Sequence, residues 1–394
     1  MPRKCKGWLK GQFFCRIKCM RTGIATFPLD YGRCPRWLFE RMKRLARGIT
    51  IAIVEEFGPE EFLKRLSDPV WFQSLGCVLA FDWNSSGLTT TTLGAIKSAL
   101  FSIQDEIGIY ICGGKGATSR KTPEEIETYG ISRGFSFAPY LVFASKMSAK
   151  VDSALLQDGF QIYHHNFLFT KLGNWAVIQQ GMNPLNQTAR RYHWLGGPKK
   201  DFVEEPHSGI ITQKRVRPLN LTAKESNQNR QISLEMTQGS FKGLIKDVTL
   251  LSRRLTDLSK IRKLNLPGDE IIPQEPSDLQ DLKFDTPYIT KTLFRLTEEK
   301  PKTFETLLSQ KGVGPKTIRA LSLVSEIIYG AKPSYEDPAR YSFAHGGKDA
   351  IPYPVDRETY DKTINTIERG IRKSFVSLRE KEKALQRLNT ALDL

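Results

Sequence analysis

Leu308-Ser-Gln-Lys-Gly-Val-Gly-Pro-Lys-Thr-Ile-Arg-Ala-Leu321 is the stretch from which the rest of the chain can be read. Thr303 to Gln310 reads as a short helix with Phe304, Leu307 and Leu308 on one face. Gly312-Val313-Gly314 reads as a tight turn, because two glycines permit positive φ while Val313 can plug a core. Pro315 suits a first helical position, where no N–H is needed and φ is already helical. The next helix runs from Lys316 to Tyr329, with Ile318, Leu321, Val324 and Ile328 as its apolar stripe and Gly330 as its stop. Backbone N–H groups of such a turn and helix N-terminus point outward together and form an anion site, reinforced by the helix dipole.

This pattern resembles a helix-hairpin-helix DNA-binding motif. The resemblance implies that Lys311, Gly312, Val313, Gly314, Lys316, Thr317 and Arg319 meet the phosphate backbone. Such contacts grip DNA without reading its bases. The alternative is an ordinary helical turn around a Gly-x-Gly loop.

The chain has 394 residues, 40% of them hydrophobic and 26% charged, which suits a globular protein of two or three domains. The net charge of +17 suggests a polyanionic partner. Much of the surplus lies in the first fifty residues, where Asp30 and Glu40 are the only acids. No apolar run is long enough for a transmembrane helix, so no membrane partner is expected. Lys10, Arg16 and Lys18 interrupt the apolar core that a signal peptide needs, and a cytoplasmic location is expected. The gaps between Cys5, Cys15, Cys19 and Cys34 do not form the paired knuckles of a structural zinc site.

A second resemblance rests on longer, ordered motifs. They are the run from Arg21 to Met42, Phe81-Asp-Trp-Asn-Ser-Ser-Gly87, Gly113-Gly-Lys-Gly116, Gln179-Gln-Gly-Met182, Arg190-Arg-Tyr-His-Trp194 and Ser342-Phe-Ala-His-Gly-Gly-Lys348. Over roughly Arg21 to Arg372 the chain resembles an archaeal and bacterial family catalogued as a domain of unknown function, number seven-six-three. Asn84 stands where that family is associated with a His. The resemblance implies family membership and no activity.

The expected fold is a mixed α/β N-terminal domain followed by an all-α helix-hairpin-helix module. Residues 1–19 form a basic extension, read as a DNA-binding arm or a dispensable one, and residues 20–200 form the α/β domain. Residues 201–285 form a connector with one long helix, approximately Ser240 to Leu264, and an acidic, Pro-rich linker. Residues 286–394 form the helical module. Pro35 to Arg47 reads as a basic helix whose cationic side is either a solvated face or a surface that tracks a nucleic-acid backbone. Leu75 to Trp83 reads as an apolar strand ending at Asp82, followed by a Ser/Thr-rich turn, a helix from Leu93 to Ser102 and a strand from Gly108 to Gly113. That order implies a parallel crossover with its ligand edge at the strand ends. Lys115 would then meet a phosphate beside a nest of glycine amides.

Phe160 to Gly181 reads as a β-hairpin turning at Lys171 to Asn174. A four-residue loop pairs Thr170 with Trp175 and so sets His165 opposite Gln180 and Asn166 opposite Gln179. Asp158 and His193 lie near the ends of this pair, and His207 is a further candidate ligand. Asp82, Lys115, Asp158, His165 and Gln180 together suggest a phosphodiester-cleaving site, with Asp82, Asp158 and His165 as ligands for Mg2+ or Mn2+. The alternative is a structural His–Gln pair in a protein that binds DNA without cutting it.

Beyond the hairpin motif, Tyr335 to Pro354 reads as an ordered loop in which His345 and Lys348 extend the phosphate surface. Pro354-Val-Asp356 resembles the Pro-Val-Asp carrying the catalytic Asp of helix-hairpin-helix DNA glycosylases. Its distance from Gly314 is too long for that family, and no catalytic Lys stands beside the hairpin. Arg357 to Leu392 reads as one long helix with near-heptad apolar spacing, which packs within the protein or makes a homodimer. The expected function is DNA binding in repair, recombination or replication, with a metal-dependent nuclease and a non-catalytic scaffold as its two forms; RNA binding is the remaining alternative.

Overall fold

A computed structural model describes residues 34–79, 86–185, 187–212, 215–262, 284, 286–339, 357–374 and 376–392. The central element is a five-stranded sheet. Its strands are β1 (Ile109–Lys115), β3 (Gln161–Thr170), β4 (Trp175–Asn183), β5 (Thr188–Gly196) and β6 (His207–Thr212), in the order β1-β3-β4-β5-β6. Every neighbouring pair is antiparallel. A small second sheet joins β2 (Leu156–Gln157) to β7 (Leu219–Asn220).

Helices cover both faces of the large sheet. The first layer contains α1 (Arg36–Phe57), α2 (Pro59–Ser67), α3 (Pro69–Val78), α4 (Gly87–Leu100) and the short α5 (Gln104–Ile107). Ile109, Ile111, Leu168, Ala176 and Ile178 point from the sheet into this layer, beside Ile49, Phe62, Phe72 and Leu93. The alternate residues Tyr110, Cys112, Phe167, Phe169, Val177 and Trp194 point the other way, towards α7 (Ala138–Ala154). With both faces buried, the strands are apolar on alternate and intervening positions alike, and the usual solvent-facing polar stripe is missing.

The helix α6 (Thr122–Arg133) precedes α7, and five helices lie beyond it: α8 (Asn227–Gln238), α9 (Phe241–Arg262), α10 (Pro287–Glu299), α11 (Phe304–Ser309) and α12 (Pro315–Ile327). Leu244, Val248, Leu293, Leu308, Val313, Ile318 and Leu321 continue the same core as α7. The turn between α11 and α12 has its expected anchor, since Val313 is buried and Gly312 has φ +85°. The chain then returns to the first layer through α13 (Arg357–Lys373) and α14 (Leu378–Leu392), whose Ile367, Ile371, Ala384 and Leu388 pack into that core. Much of the stripe read as heptad-like is therefore used inside the chain, and a homodimer gains no support from it. Among the described residues, no helix is long and apolar enough to cross a membrane.

Four expectations are corrected. Of the run from Leu75 to Trp83, the described part lies at the end of a helix, α3, and forms no strand; residues 80–83 lie outside the described residues. Asp68 caps that helix, its Oδ1 accepting from the amides of Val70 at 2.7 Å and Trp71 at 3.2 Å, and Pro69 fills the first position. A short apolar run does not distinguish a buried strand from a buried helix; the cap does. Among the described residues every strand pair is antiparallel, and no parallel crossover is formed. The single helix expected from Arg357 to Leu392 is two helices, because Ser377 and Glu380 form a capping box. Ser377 N donates to Glu380 Oε2 at 3.1 Å, and Glu380 N to Ser377 Oγ at 3.3 Å. The sheet also runs past residue 200, where the α/β domain was expected to end, since β6 begins at His207.

The fourth correction concerns hairpin register. Thr170 N donates to Asn174 O at 2.9 Å, and Gly173 N to Thr170 O at 3.1 Å. Gly173 adopts φ +79°, so the loop is three residues long with its last residue left-handed. Phe169 therefore faces Trp175, His165 faces Gln179 and His164 faces Gln180. A slip of one residue exchanges the two faces of a strand. His165 and Gln180 consequently project to opposite sides of the sheet.

At Gly113, φ is +87° and an added Cβ would lie 2.2 Å from the His165 carbonyl oxygen. Gly116 also has positive φ, +61°, but open space around it. Gly113→Ala should therefore destabilise the protein by more than Gly116→Ala, whose cost is backbone strain of about 1 kcal/mol. Equal unfolding midpoints for the two variants in denaturant titrations would contradict this packing.

Candidate active-site cleft

The α7 helix carries Ser145, Ser148 and Asp152 at spacings of three and four, beside the apolar positions Ala144, Met147 and Val151. These three polar residues therefore face the sheet with the apolar ones, and all are buried. His165 and Gln179 reach towards them from β3 and β4. Ser145 Oγ lies 3.0 Å from His165 Nε2, and His165 Nδ1 lies 2.8 Å from Gln179 Oε1. Gln179 Nε2 donates to Ser148 O at 3.1 Å and to the Asp152 carboxylate. Asp152 also accepts from Trp194 Nε1 at 2.9 Å and pairs with His207.

These contacts determine where the protons sit. Gln179 uses its amide NH2 on Ser148 and Asp152, so its oxygen faces His165 as an acceptor. His165 Nδ1 therefore carries the hydrogen. Its Nε2 is the acceptor, and the Ser145 hydroxyl donates to it. Burial holds the His165 pKa below its ordinary value, while Gln179 and Asp152 oppose that shift. The result is a hydroxyl, a neutral imidazole and an orienting amide in series, backed by a buried carboxylate. This is the geometry in which a base can activate a hydroxyl nucleophile.

The array borders an open cleft of about 510 Å3. Ser145 and His165 line it with Gln161 of β3, the exposed Arg120 and Lys146, and Pro315 at the start of α12. The cleft thus adjoins the glycine turn that first drew attention in the sequence. Lys150 Nζ donates to Gln310 O at 2.8 Å and Gln157 Nε2 to Pro315 O at 2.9 Å, which fixes that turn against α7 and β2.

The residues expected to form one site are dispersed. Asp82 lies outside the described residues, as do His345, Lys348 and Asp356. Lys115 is exposed at the end of β1, with its Nζ 6.0 Å from the centre of the Tyr163 ring. The glycine nest beside it is partly filled, because Gly113 N donates to Glu125 Oε2 at 2.9 Å. Gln180 faces the first helical layer, accepting from Thr89 and donating to Ser86 O at 2.9 Å and to Tyr163. His193 is on that same side. Its Nε2 accepts from Arg191 Nε at 2.9 Å, and its Nδ1 donates to Leu66 O at 3.1 Å.

Asp158 is part of a buried ionic cluster. Its Oδ1 accepts from Phe160 N at 3.0 Å, and its Oδ2 accepts from Tyr192 OH at 2.7 Å and faces Arg190 Nε at 3.1 Å. Arg190 also pairs with Asp337, tying β5 to the segment after α12. Burial raises the Asp158 pKa to about 6 against the opposing pull of Arg190. Asp158 and both nitrogens of His165 are thus committed to protein partners, and these two residues do not fit a Mg2+ or Mn2+ site. Among the described residues, no group of three His, Cys, Asp or Glu side chains is placed to hold a metal.

Ser145 and Asp152 were not singled out in the sequence, although their place on the buried face of a helix was a readable signal. In the stretch expected from the sequence to meet phosphate, Thr317 is buried and Arg319 Nε donates to Gln157 Oε1 at 2.6 Å. Lys311 and Lys316 are exposed.

His164 is buried, and neither of its ring nitrogens has a hydrogen-bond partner among the described residues. Burial lowers its pKa from 6.5 to about 3, with His165 adding to the shift and Asn166 opposing it. The pKa values of His165 and His193 are lowered too. Below pH 6.5 the unfolded chain therefore binds more protons than the folded one, and stability falls with pH. Each group contributes up to about 1.4 kcal/mol per pH unit. The melting temperature should be level above pH 7 and decline from about pH 6.5 downwards. His164→Leu, which removes one such group, should make that decline shallower. An unchanged slope would show that His164 titrates normally in the folded protein.

A family model described as "Protein of unknown function (DUF763)" matches residues 23–355. No curated protein and no solved structure matches the chain. The matched segment begins where the ordered motifs begin and includes the sheet, the cleft and the glycine turn, so the chain belongs to the DUF763 family.

Proposed function

We propose that this protein binds DNA by its phosphate backbone at the helix-hairpin-helix turn between α11 and α12. The observation that carries this reading is the start of α12. Gly314 precedes the helix and has no side chain to cap it, so no side-chain hydrogen bond caps the helix there. The first amides of any helix have no acceptor within the helix itself and point outward from its end. They attract anions along the helix dipole.

The surroundings favour a large anion over a small one. An added Cβ on Gly314 would meet nothing within 4 Å, so a backbone can approach closely. Gly312 is held from behind, its carbonyl accepting from Tyr288 OH at 3.0 Å. Exposed Lys311 and Lys316 flank the turn, and Arg120 and Lys146 continue the positive charge along the adjoining cleft. Nothing in this arrangement offers a base-reading edge, which suits binding without sequence preference.

Lys311→Glu combined with Lys316→Glu should weaken binding to every DNA sequence. It should also reduce the slope of log affinity against log salt by roughly 2, since each phosphate contact contributes about 0.9. Fluorescence anisotropy with unrelated duplex and single-stranded oligonucleotides at several salt concentrations measures both quantities. Unaltered affinity and slope in the folded double variant would overturn the reading.

A further inference from the structure

We propose that the cleft beside α12 is a phosphodiester-cleaving site in which Ser145 is the nucleophile and His165 the general base. The inference rests on the DNA reading above for its substrate. It rests on separate observations for its chemistry: a hydroxyl held 3.0 Å from an accepting imidazole nitrogen, at the wall of a cleft of about 510 Å3.

A structural serine on a helix commonly donates to a backbone carbonyl in the preceding turn, as Ser153 does to Lys150 O at 3.2 Å. Ser145 instead donates to His165. The ring cannot accept through its other nitrogen, because Gln179 oxygen takes the Nδ1 hydrogen and Gln179 is itself fixed by Ser148 and Asp152. Gln179 and Asp152 are therefore positioning residues. They keep Nε2 open for a proton and place negative charge behind the imidazolium that forms.

The step balances within the chain and its substrate. Ser145 Oγ attacks phosphorus and gives its proton to His165 Nε2. The Oγ–P bond forms as the bond from phosphorus to the leaving sugar oxygen breaks. His165 then returns the proton to that oxygen, leaving a phosphoserine linkage and a free hydroxyl end. Water then gives a proton to the same imidazole and attacks the phosphorus; the Oγ–P bond breaks, and the imidazolium returns that proton to Ser145 Oγ, leaving a phosphate end on the DNA. Arg120 and Lys146 line the same cleft and would supply the fixed positive charge that favours the charge gained by phosphoryl oxygens.

Two reagents test this on the full chain. A fluorophosphonate probe reports an activated serine without needing DNA, and mass spectrometry of the digest locates the adduct. End-labelled single-stranded and duplex DNA, incubated with chelator and run on denaturing gels, reports cleavage and covalent attachment. The expected result is an adduct on Ser145 with both, abolished by Ser145→Ala and slowed about a hundredfold or more by His165→Gln. Lys311→Glu with Lys316→Glu should suppress the DNA adduct and leave probe labelling intact. Protein that binds DNA but yields no Ser145 adduct with either reagent overturns the inference and leaves the DNA reading standing. Probe labelling of Ser145 in protein that binds no DNA sustains the nucleophile and overturns the DNA reading.

Discussion

The closure of the β3–β4 hairpin governs the arrangement of polar residues in this molecule. Because Gly173 takes a left-handed conformation, Thr170 pairs with Asn174, and every later pair follows from that. The sheet is covered on both faces, so each inward polar side chain must find a partner in one particular layer. His165 and Gln179 meet Ser145, Ser148 and Asp152 on α7. Gln180 and Arg191 meet Thr89 and Gln73 on the opposite side. A one-residue slip would send the first group into the second layer and leave buried polar atoms unpaired on both sides.

The same sheet links the cleft to the glycine turn. The α7 helix lies between β3 and the C-terminal helices. It supplies Ser145 to the cleft and Lys150 to the carbonyl of Gln310. β2, immediately after α7, supplies Gln157 to the carbonyl of Pro315. The turn is thus positioned by residues within a few places of the hydroxyl–imidazole pair. The phosphate binding proposed for one and the chemistry proposed for the other would therefore be linked by a short stretch of chain. The Arg190 cluster, which joins Asp158 to Asp337, holds the segment after α12 against β5.

The glycine turn, its buried valine, the helices on either side and the hairpin strands were legible in the sequence. Each depends on local chemistry: φ at Gly312, proline at a helix start, and alternation along β3 and β4. The misread strand at Leu75 is a case where an apolar run carried no period and the deciding residue, Asp68, stood outside it. The break between α13 and α14 was readable from Ser377-Leu-Arg-Glu380, but the apolar spacing on either side outweighed it. Two site residues were hidden for a different reason. Ser145 and Asp152 acquire meaning only when β3 and β4 lie across α7, and that contact is tertiary. The direction of Gln180 needed the exact loop length, which turned on the conformation of a single glycine.

The central claim is that a DNA strand crosses the start of α12 and continues into the cleft that holds Ser145 and His165. A structure of the protein with a short DNA oligonucleotide tests it most directly. The account predicts one phosphate hydrogen-bonded to the amides of Lys316 and Thr317, with a neighbouring phosphate in the cleft beside Ser145, Lys146 and Arg120. DNA lying along the basic face of α1, with the turn and the cleft empty, would contradict it.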